Sequence, residues 1–543
     1  CANLSSAEAT SLNGEKLLNY LRGHYVFEDR LGNGTRFFRR REHVLGAVVN
    51  AQPLYVGRPA FRYADDNYGE FRDRIQFNRK STVYVAANDG MLHSFDAATG
   101  EENWAFIPAA VLPGMYRYAD TQFGQQFSYL LDGTPVAGDV CPSTVVASEA
   151  TGAASNTVTR CAAEQWRTIL VGGLGAAGRE FYALDITDPD APKALWRFGV
   201  AQSDDVGYAV GRPVITKRRD GRWVVFLTSG YNNINPGSGQ AYLFVLDAYT
   251  GRLLQKIGTG AGSTTDPAGL AQINGWVENL MDNTTVHLYG GDMLGNIWRF
   301  DVDTPYPADG SNAVRLAQLV RNSVSQPVTT RPELYEVRVG AQRSIAVTVG
   351  TGSYLGLDDA RDLAVQSIYS FRDDLSQSGY GDVRSKLVEQ TLVPVPGNGA
   401  ARTVSTRPVD WSSASSKPGW FLDLLVNGRL SGERVTLDPD QQQGILRILT
   451  NTPDATACRP GAESWIYEID YLTGAYIPNT QGGVVARRVA ASALSAGART
   501  LKLGEKIVTL ITDERGGLST VQGLAPTPTV NPVRRVSWRE LDE

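Results

Sequence analysis

The residues of this chain with chemistry to offer are four cysteines, four histidines and a set of aspartates that recur at the ends of apolar runs. The histidines, His24, His43, His93 and His287, show no His-x-x-x-His or comparable metal-ligand spacing, and the chain carries neither a Gly-x-Ser-x-Gly elbow nor a phosphate loop. His93 alternates within an apolar run and reads as a packed residue, not a ligand. Asp96, Asp185, Asp247, Asp301 and Asp470 each close such a run, and after Asp96, Asp247 and Asp470 the chain continues x-x-Thr-Gly. An Asp in that place accepts hydrogen bonds from backbone amides two residues on, Thr does likewise, and Gly takes a positive φ. These carboxylates therefore read as turn residues, and no catalytic residue is assigned.

The cysteines are Cys1, Cys141, Cys161 and Cys458. Cys141 and Cys161 bracket a Ser/Thr/Ala/Gly-rich segment with almost no core-forming side chains. A disulfide across its base would restrict about 20 residues of unfolded chain, worth roughly 3 kcal/mol, and predicts an oxidising compartment outside the cytoplasm. No pairing is assigned to Cys1 or Cys458.

The elements that must carry these residues repeat. In Ser81–Trp104 an apolar run, a turn at Asn88-Asp89-Gly90, a second run and a second turn at Asp96–Gly100 describe antiparallel strands, because Asn/Asp-Gly pairs supply the backbone that tight hairpins need. The pattern returns at Trp166–Trp196, Trp223–Gly251, Val286–Asp303, Ser344–Asp374 and Ile445–Gly474, and more weakly at Lys506–Trp538, often with a trailing Trp that packs between units. One small sheet cannot bury both faces alone, whereas a ring of them hides the faces and leaves only short edges. The expected fold is all-β, a modified seven-bladed β-propeller with quinoprotein-like blades and long loop insertions. Residues 1–45 read as a short helical lead-in and linker, and residues 46–543 as a single propeller domain.

Composition agrees with a turn-rich β protein: of 543 residues, 56 are Gly, 26 Pro, 23 Tyr, 17 Phe and 10 Trp. A net charge of -5, with both signs mixed along the chain, gives no reason to invoke nucleic acid. The basic run Arg36-Phe37-Phe38-Arg39-Arg40-Arg41 reads as a solvated loop. No apolar stretch reaches the roughly 18 to 20 residues of a membrane helix, and the Met-less start at Cys1, which lacks signal-peptide features, is read as belonging to a piece of a longer protein.

Three ordered motifs are more specific than a generic propeller turn. Leu45-Gly46-Ala47-Val48-Val49-Asn50-Ala51-Gln52-Pro53-Leu54-Tyr55-Val56-Gly57, then Val83–Asp96, then Gly290-Gly291-Asp292-Met293-Leu294-Gly295-Asn296-Ile297-Trp298-Arg299-Phe300-Asp301, resemble the C-terminal domain of the PilC/PilY family of type IV pilus assembly factors and tip adhesins. The closing Arg535-Val536-Ser537-Trp538-Arg539-Glu540-Leu541 resembles that family's C-terminal end. The resemblance implies a non-enzymatic seven-bladed propeller at the pilus tip and outer cell surface, reached through the periplasm. It implies support of pilus extension, twitching motility and surface attachment. The implied partners are pilus subunits or minor pilins, a host or abiotic surface, and the protein's own missing N-terminal region. The blade turns also resemble quinoprotein dehydrogenases, but the adjacent cysteine pair of that family's cofactor site is missing here. An outer-membrane assembly scaffold, adding partner strands at blade grooves, is the third reading.

The same resemblance implies a Ca2+ loop of alternating Asp or Asn just before the strand that leads into the third motif. Here that segment is Glu278-Asn279-Leu280-Met281-Asp282-Asn283-Thr284-Thr285-Val286, with Glu278, Asp282 and the Thr284 carbonyl as remaining ligand candidates. Calcium wants about six to eight oxygens, several from carboxylates, and Leu280 and Val286 stand where ligands are expected. The loop is read as degraded and no cofactor is assigned. Asp204-Asp205, Asp358-Asp359 and Asp438-Pro439-Asp440 read as solvated turns. Recognition is expected on the Cys141–Cys161 excursion, Thr259–Gly269 and Glu389–Ser416, because loops carry specificity on rigid scaffolds.

Overall fold

The structure, a computed structural model, describes residues 14–29, 37–142, 161–302, 312–412, 415–442, 444–453, 462–477, 481–503 and 506–523. The lead-in contains a helix, Gly14–Leu21, whose buried Tyr20 packs on Phe38 and Tyr118. The basic run is not a solvated loop throughout. Arg41 is buried, lies 3.8 Å over the Tyr20 ring and pairs with Glu28 at 2.7 Å, while Arg39 lies 4.6 Å over Tyr118. Planar guanidinium groups stack well on aromatic faces, which accounts for the seating of Arg39 and Arg41 on these tyrosine rings.

Four successive antiparallel sheets of four strands follow. The first is Leu54–Val56, Thr82–Ala87, Met91–Asp96 and Glu102–Phe106; the second is Val136–Val140, Arg167–Gly173, Glu180–Asp185 and Lys193–Gly199. The third is Val214–Lys217, Trp223–Thr228, Tyr242–Asp247 and Leu253–Gly258; the fourth is Ile273–Val277, Thr285–Gly291, Asn296–Asp301 and Ala313–Gln318. Each pairs its strands in chain order, and the first strands of neighbouring blades lie beside one another, so they line the axis. Across it, Arg212, just before blade 3, reaches Asp438 of the blade 6 segment at 3.5 Å.

Blade 5 takes Glu333–Val339, Gln342–Gly350, Ser367–Asp373, Gly419–Asp423 and a parallel edge strand, Val388–Gln390. Blade 6 is enlarged. Around the hairpin of Ile445–Pro453 and Ala462–Asp470 it gathers Ala486–Ala490, Arg434–Val435 and Asp440–Gln442, and it recruits Leu392–Val395 and Asn398–Val404. Much of Glu389–Ser416, expected as a loop, is therefore the outer hairpin of the next blade.

The expectation of seven blades is corrected to six. The seventh repeat forms a three-stranded sheet, Ser495–Leu503, Lys506–Asp513 and Leu518–Gln522. Among the described residues only one of its faces is covered. Ile511 packs on Leu449 and Ile466 of blade 6, whereas Leu501 and Leu518 on the other face are exposed, so among these residues the sheet caps blade 6 and has no second blade against it. The Arg535–Leu541 motif lies outside the described residues.

Candidate functional site

The recurring aspartates sit at the inter-blade seams. Asp96 Oδ1 accepts from the Ala98 and Thr99 amides at 2.8 and 3.1 Å, and Asp247 and Asp470 each accept from the amides two and three residues on and from the Thr hydroxyl. Asp185 accepts from the Thr187 amide and hydroxyl. Trailing tryptophans reach these turns from the preceding blade. The indole N–H of Trp104 donates to Pro189 O, that of Trp196 to Ala248 O and that of Trp420 to Tyr471 O, at 2.8, 3.1 and 3.0 Å.

Asp301 departs from this pattern. It accepts from Arg299 and faces His287 Nδ1, both at 2.8 Å; burial raises its carboxyl, but these bonds and the Arg299 charge outweigh that and hold it down at about 2. Arg299 also spans the seam to Asp373 of blade 5. His93 lies between two carboxylates, Glu102 on Nδ1 at 2.6 Å and Asp89 on Nε2 at 3.1 Å, while Asp89 also accepts from the Gly46 amide. His93 and the turn aspartates are thus distributed around the ring, each held by its own local partners, and do not converge as a catalytic set.

The segment Glu278–Val286 forms a folded turn docked between blade 3 and the 58–80 loop. Asn279 O accepts from the amides of Asp282 and Asn283, and Asn279 Oδ1 from that of Met281. Asn283 adopts φ 52°, and its carbonyl accepts from the Lys217 amide at 3.1 Å and from Thr216 Oγ1 at 2.8 Å. Tyr63 and Tyr68 anchor the 58–80 loop by packing against Trp223 and Trp166, at centroid distances of 5.1 and 4.8 Å. Asp65 sits between those two tyrosines in sequence. Its neighbour Ala64 donates a backbone bond to Met281 O at 2.7 Å.

A single ammonium joins these parts. Lys217, at the end of the first strand of blade 3, places Nζ 2.8 and 2.9 Å from the Asp65 carboxylate oxygens and 3.0 Å from Asp282 Oδ1. The two carboxyls respond in opposite directions. At Asp65 burial outweighs the ammonium and the shift is upward; at the more exposed Asp282 the bonds from Lys217 and Thr284 outweigh burial and the shift is downward. Neither Lys217 nor Asp65 was expected from the sequence, because they lie far from the loop along the chain and belong to no repeat.

The loop does not fit calcium. Glu278, Leu280 and Met281 are exposed, and the Asp282 carboxylate already holds a protein cation. Among the described residues no group of three or more His, Cys, Asp or Glu side chains could hold a metal ion. The alternative aspartates also have protein donors. Asp205 takes Ser238 and Lys256, Asp359 takes the amides of Leu355 and Gly356, and Asp438 takes the Arg331 amide.

Cys141 and Cys161 are joined by a disulfide with a Cα–Cα distance of 5.9 Å, both buried beside Trp166 in the core between blades 2 and 3. The tip of this excursion, 143–160, and Cys1 and Cys458 lie outside the described residues.

Blades locked by Asp turns and tryptophans, with insertions that differ from blade to blade, define a β-propeller whose variable surface is loop. The profile of the PilY1 beta-propeller domain matches residues 45–393, and the chain belongs to that family. It is 30% identical to the type IV pilus biogenesis factor PilY1 of Pseudomonas aeruginosa strain PAO1, covering 98% of this chain and 48% of the relative. A PilY1 homolog of Xylella fastidiosa is 30% identical over 86% of this chain and 32% of its own length. The chain thus spans about half or less of the curated relatives it matches. The crystal structure of the P. aeruginosa PilY1 C-terminal domain superposes with a TM-score of 0.65 and 28% identity, covering 87% of this chain and 100% of that one.

Proposed function

We propose that this chain is the propeller part of a non-enzymatic type IV pilus biogenesis factor that acts at the pilus tip and outer cell surface, in extension, twitching motility and attachment. The observation that carries this reading is the likeness to the whole of the P. aeruginosa PilY1 C-terminal domain, a relative named for pilus biogenesis. Its partners in this reading are pilus subunits or minor pilins, the remainder of its own protein, and a host or abiotic surface. Contacts fall on Thr259–Gly269, on the exposed parts of Glu389–Ser416 and on the Cys141–Cys161 excursion, since blade strands are occupied with one another.

The test is removal of these residues from the native gene, followed by counts of surface pili and twitching zones. Loss of both is expected, and normal piliation with normal twitching overturns the reading. A pull-down that recovers outer-membrane assembly proteins and no pilins would favour the scaffold alternative.

A further inference from the structure

We propose that the Lys217 ammonium is the resident cation of the Glu278–Val286 loop, holding by ion pairing the arrangement that a divalent ion would otherwise hold, so that this loop keeps its docked form whether or not calcium is present. This role follows from geometry and is independent of the pilus reading. Three chain segments with no sequence proximity converge on one nitrogen: blade 3 supplies it, the 58–80 loop supplies Asp65 and the 278–286 loop supplies Asp282. A shared cation stabilises that junction, because two carboxylates brought to one point repel and a positive charge between them offsets the repulsion.

The nitrogen is well placed for that task. The Lys217 side chain is 9% exposed, its stem lies in the strand beside Trp223, and its ammonium is 5.9 Å from that ring. A buried stem with a fixed head cannot exchange with solvent as a bound ion does. The backbone bonds from Ala64 to Met281 and from Lys217 to Asn283 close the same three-way junction without using either carboxylate. The junction therefore has its cation built into the polypeptide, and an added metal would have to displace an amine tethered to the strand.

The test compares the full chain with Lys217→Met and Lys217→Arg in CaCl2 and in EGTA, reading melting temperature and hydrogen exchange of 279–284. The wild type is expected to be indifferent to calcium in both readouts, and K217R to behave like it. K217M is expected to melt on the order of 2 °C or more lower and to exchange faster at 279–284, in EGTA and in CaCl2 alike, since the two freed carboxylates are too few for a cation that wants about six to eight oxygens. A wild type whose loop is protected by calcium, with the effect removed by Asp282→Ala, overturns the proposal. So does K217M with unchanged exchange. If K217M does not fold, D282A decides in EGTA: faster exchange at 279–284 is expected, and unchanged protection overturns it.

Discussion

Trp196 of blade 2 lies so close under Gly251 of blade 3 that a Cβ on the glycine would stand 2.4 Å from the indole Cγ. The same fit recurs at the seam of blades 5 and 6, where a Cβ on Gly474 would meet Trp420 at 2.5 Å. The Thr-Gly of the repeat thus has two duties. It takes a positive φ, 70° at Gly251, and it leaves room for the preceding blade's tryptophan.

Gly100 separates the two duties, since it has φ 76° but a Cβ there would find nothing within 4 Å. Gly100→Ala is expected to cost about 1 kcal/mol for the backbone alone, and Gly251→Ala about 2 to 4 kcal/mol because the seam must also open. Chemical denaturation midpoints check this. Equal costs at the two sites would rule out a steric contribution from the tryptophan.

The pair Arg299–Asp373 joins blades 4 and 5 at 3.0 Å with side chains 1% and 0% exposed, and Tyr289 Oη also donates to Asp373 at 2.7 Å. Removing Asp373 leaves Arg299 with Asp301 as its carboxylate partner and leaves the buried Tyr289 hydroxyl without its acceptor. Asp373→Ala is expected to destabilise by about 2 to 3 kcal/mol. The double variant R299M/D373L is expected to unfold at higher denaturant than D373A, because apolar groups of similar volume refill the seam. A double variant weaker than the single one would show that the pair contributes net stability.

His93 gives a pH dependence with a definite sign. Burial lowers its proton affinity from the ordinary 6.5, but the bonds and charges of Asp89 and Glu102 outweigh burial and the net shift is upward. A raised folded-state value means that the contribution is fully present below about 6.5. It is lost as pH rises through the folded-state value. Melting temperature is therefore expected to fall from pH 6 towards pH 8 by more in the wild type than in His93→Gln. Parallel pH profiles would rule His93 out as the source.

The Cys141–Cys161 bond closes a loop with a sequence separation of 20. Replacing both cysteines by serine is expected to cost about 3 kcal/mol. Added reductant should lower the wild-type midpoint and leave the double variant unmoved. A reductant effect on the double variant of the same size would assign it to other cysteines.

Local chemistry made much of the propeller readable. Apolar runs ended by Asp-x-x-Thr-Gly are short-range signals, since the Asp bonds amides within three residues of itself, and the blades at Asp96, Asp247 and Asp470 follow them. The bracketing of a core-poor segment by Cys141 and Cys161 is local in the same sense, and so are the motifs that resemble the pilus family.

Blade number and strand recruitment were decided only when the sheets packed. Strand patterns report propensity, but Ile511 docks on Leu449 and Ile466 of blade 6 and no second blade covers the sheet among the described residues, so the seventh repeat became a cap on blade 6. The hairpin Leu392–Val404 read as loop because its pairing partner, Ala486–Ala490, lies far along the chain. Lys217 is the extreme case. Its role depends on Asp65, Asp282 and the Trp223 ring arriving together from three segments, and a charge's partner is fixed by distance through space, which no spacing along the chain encodes.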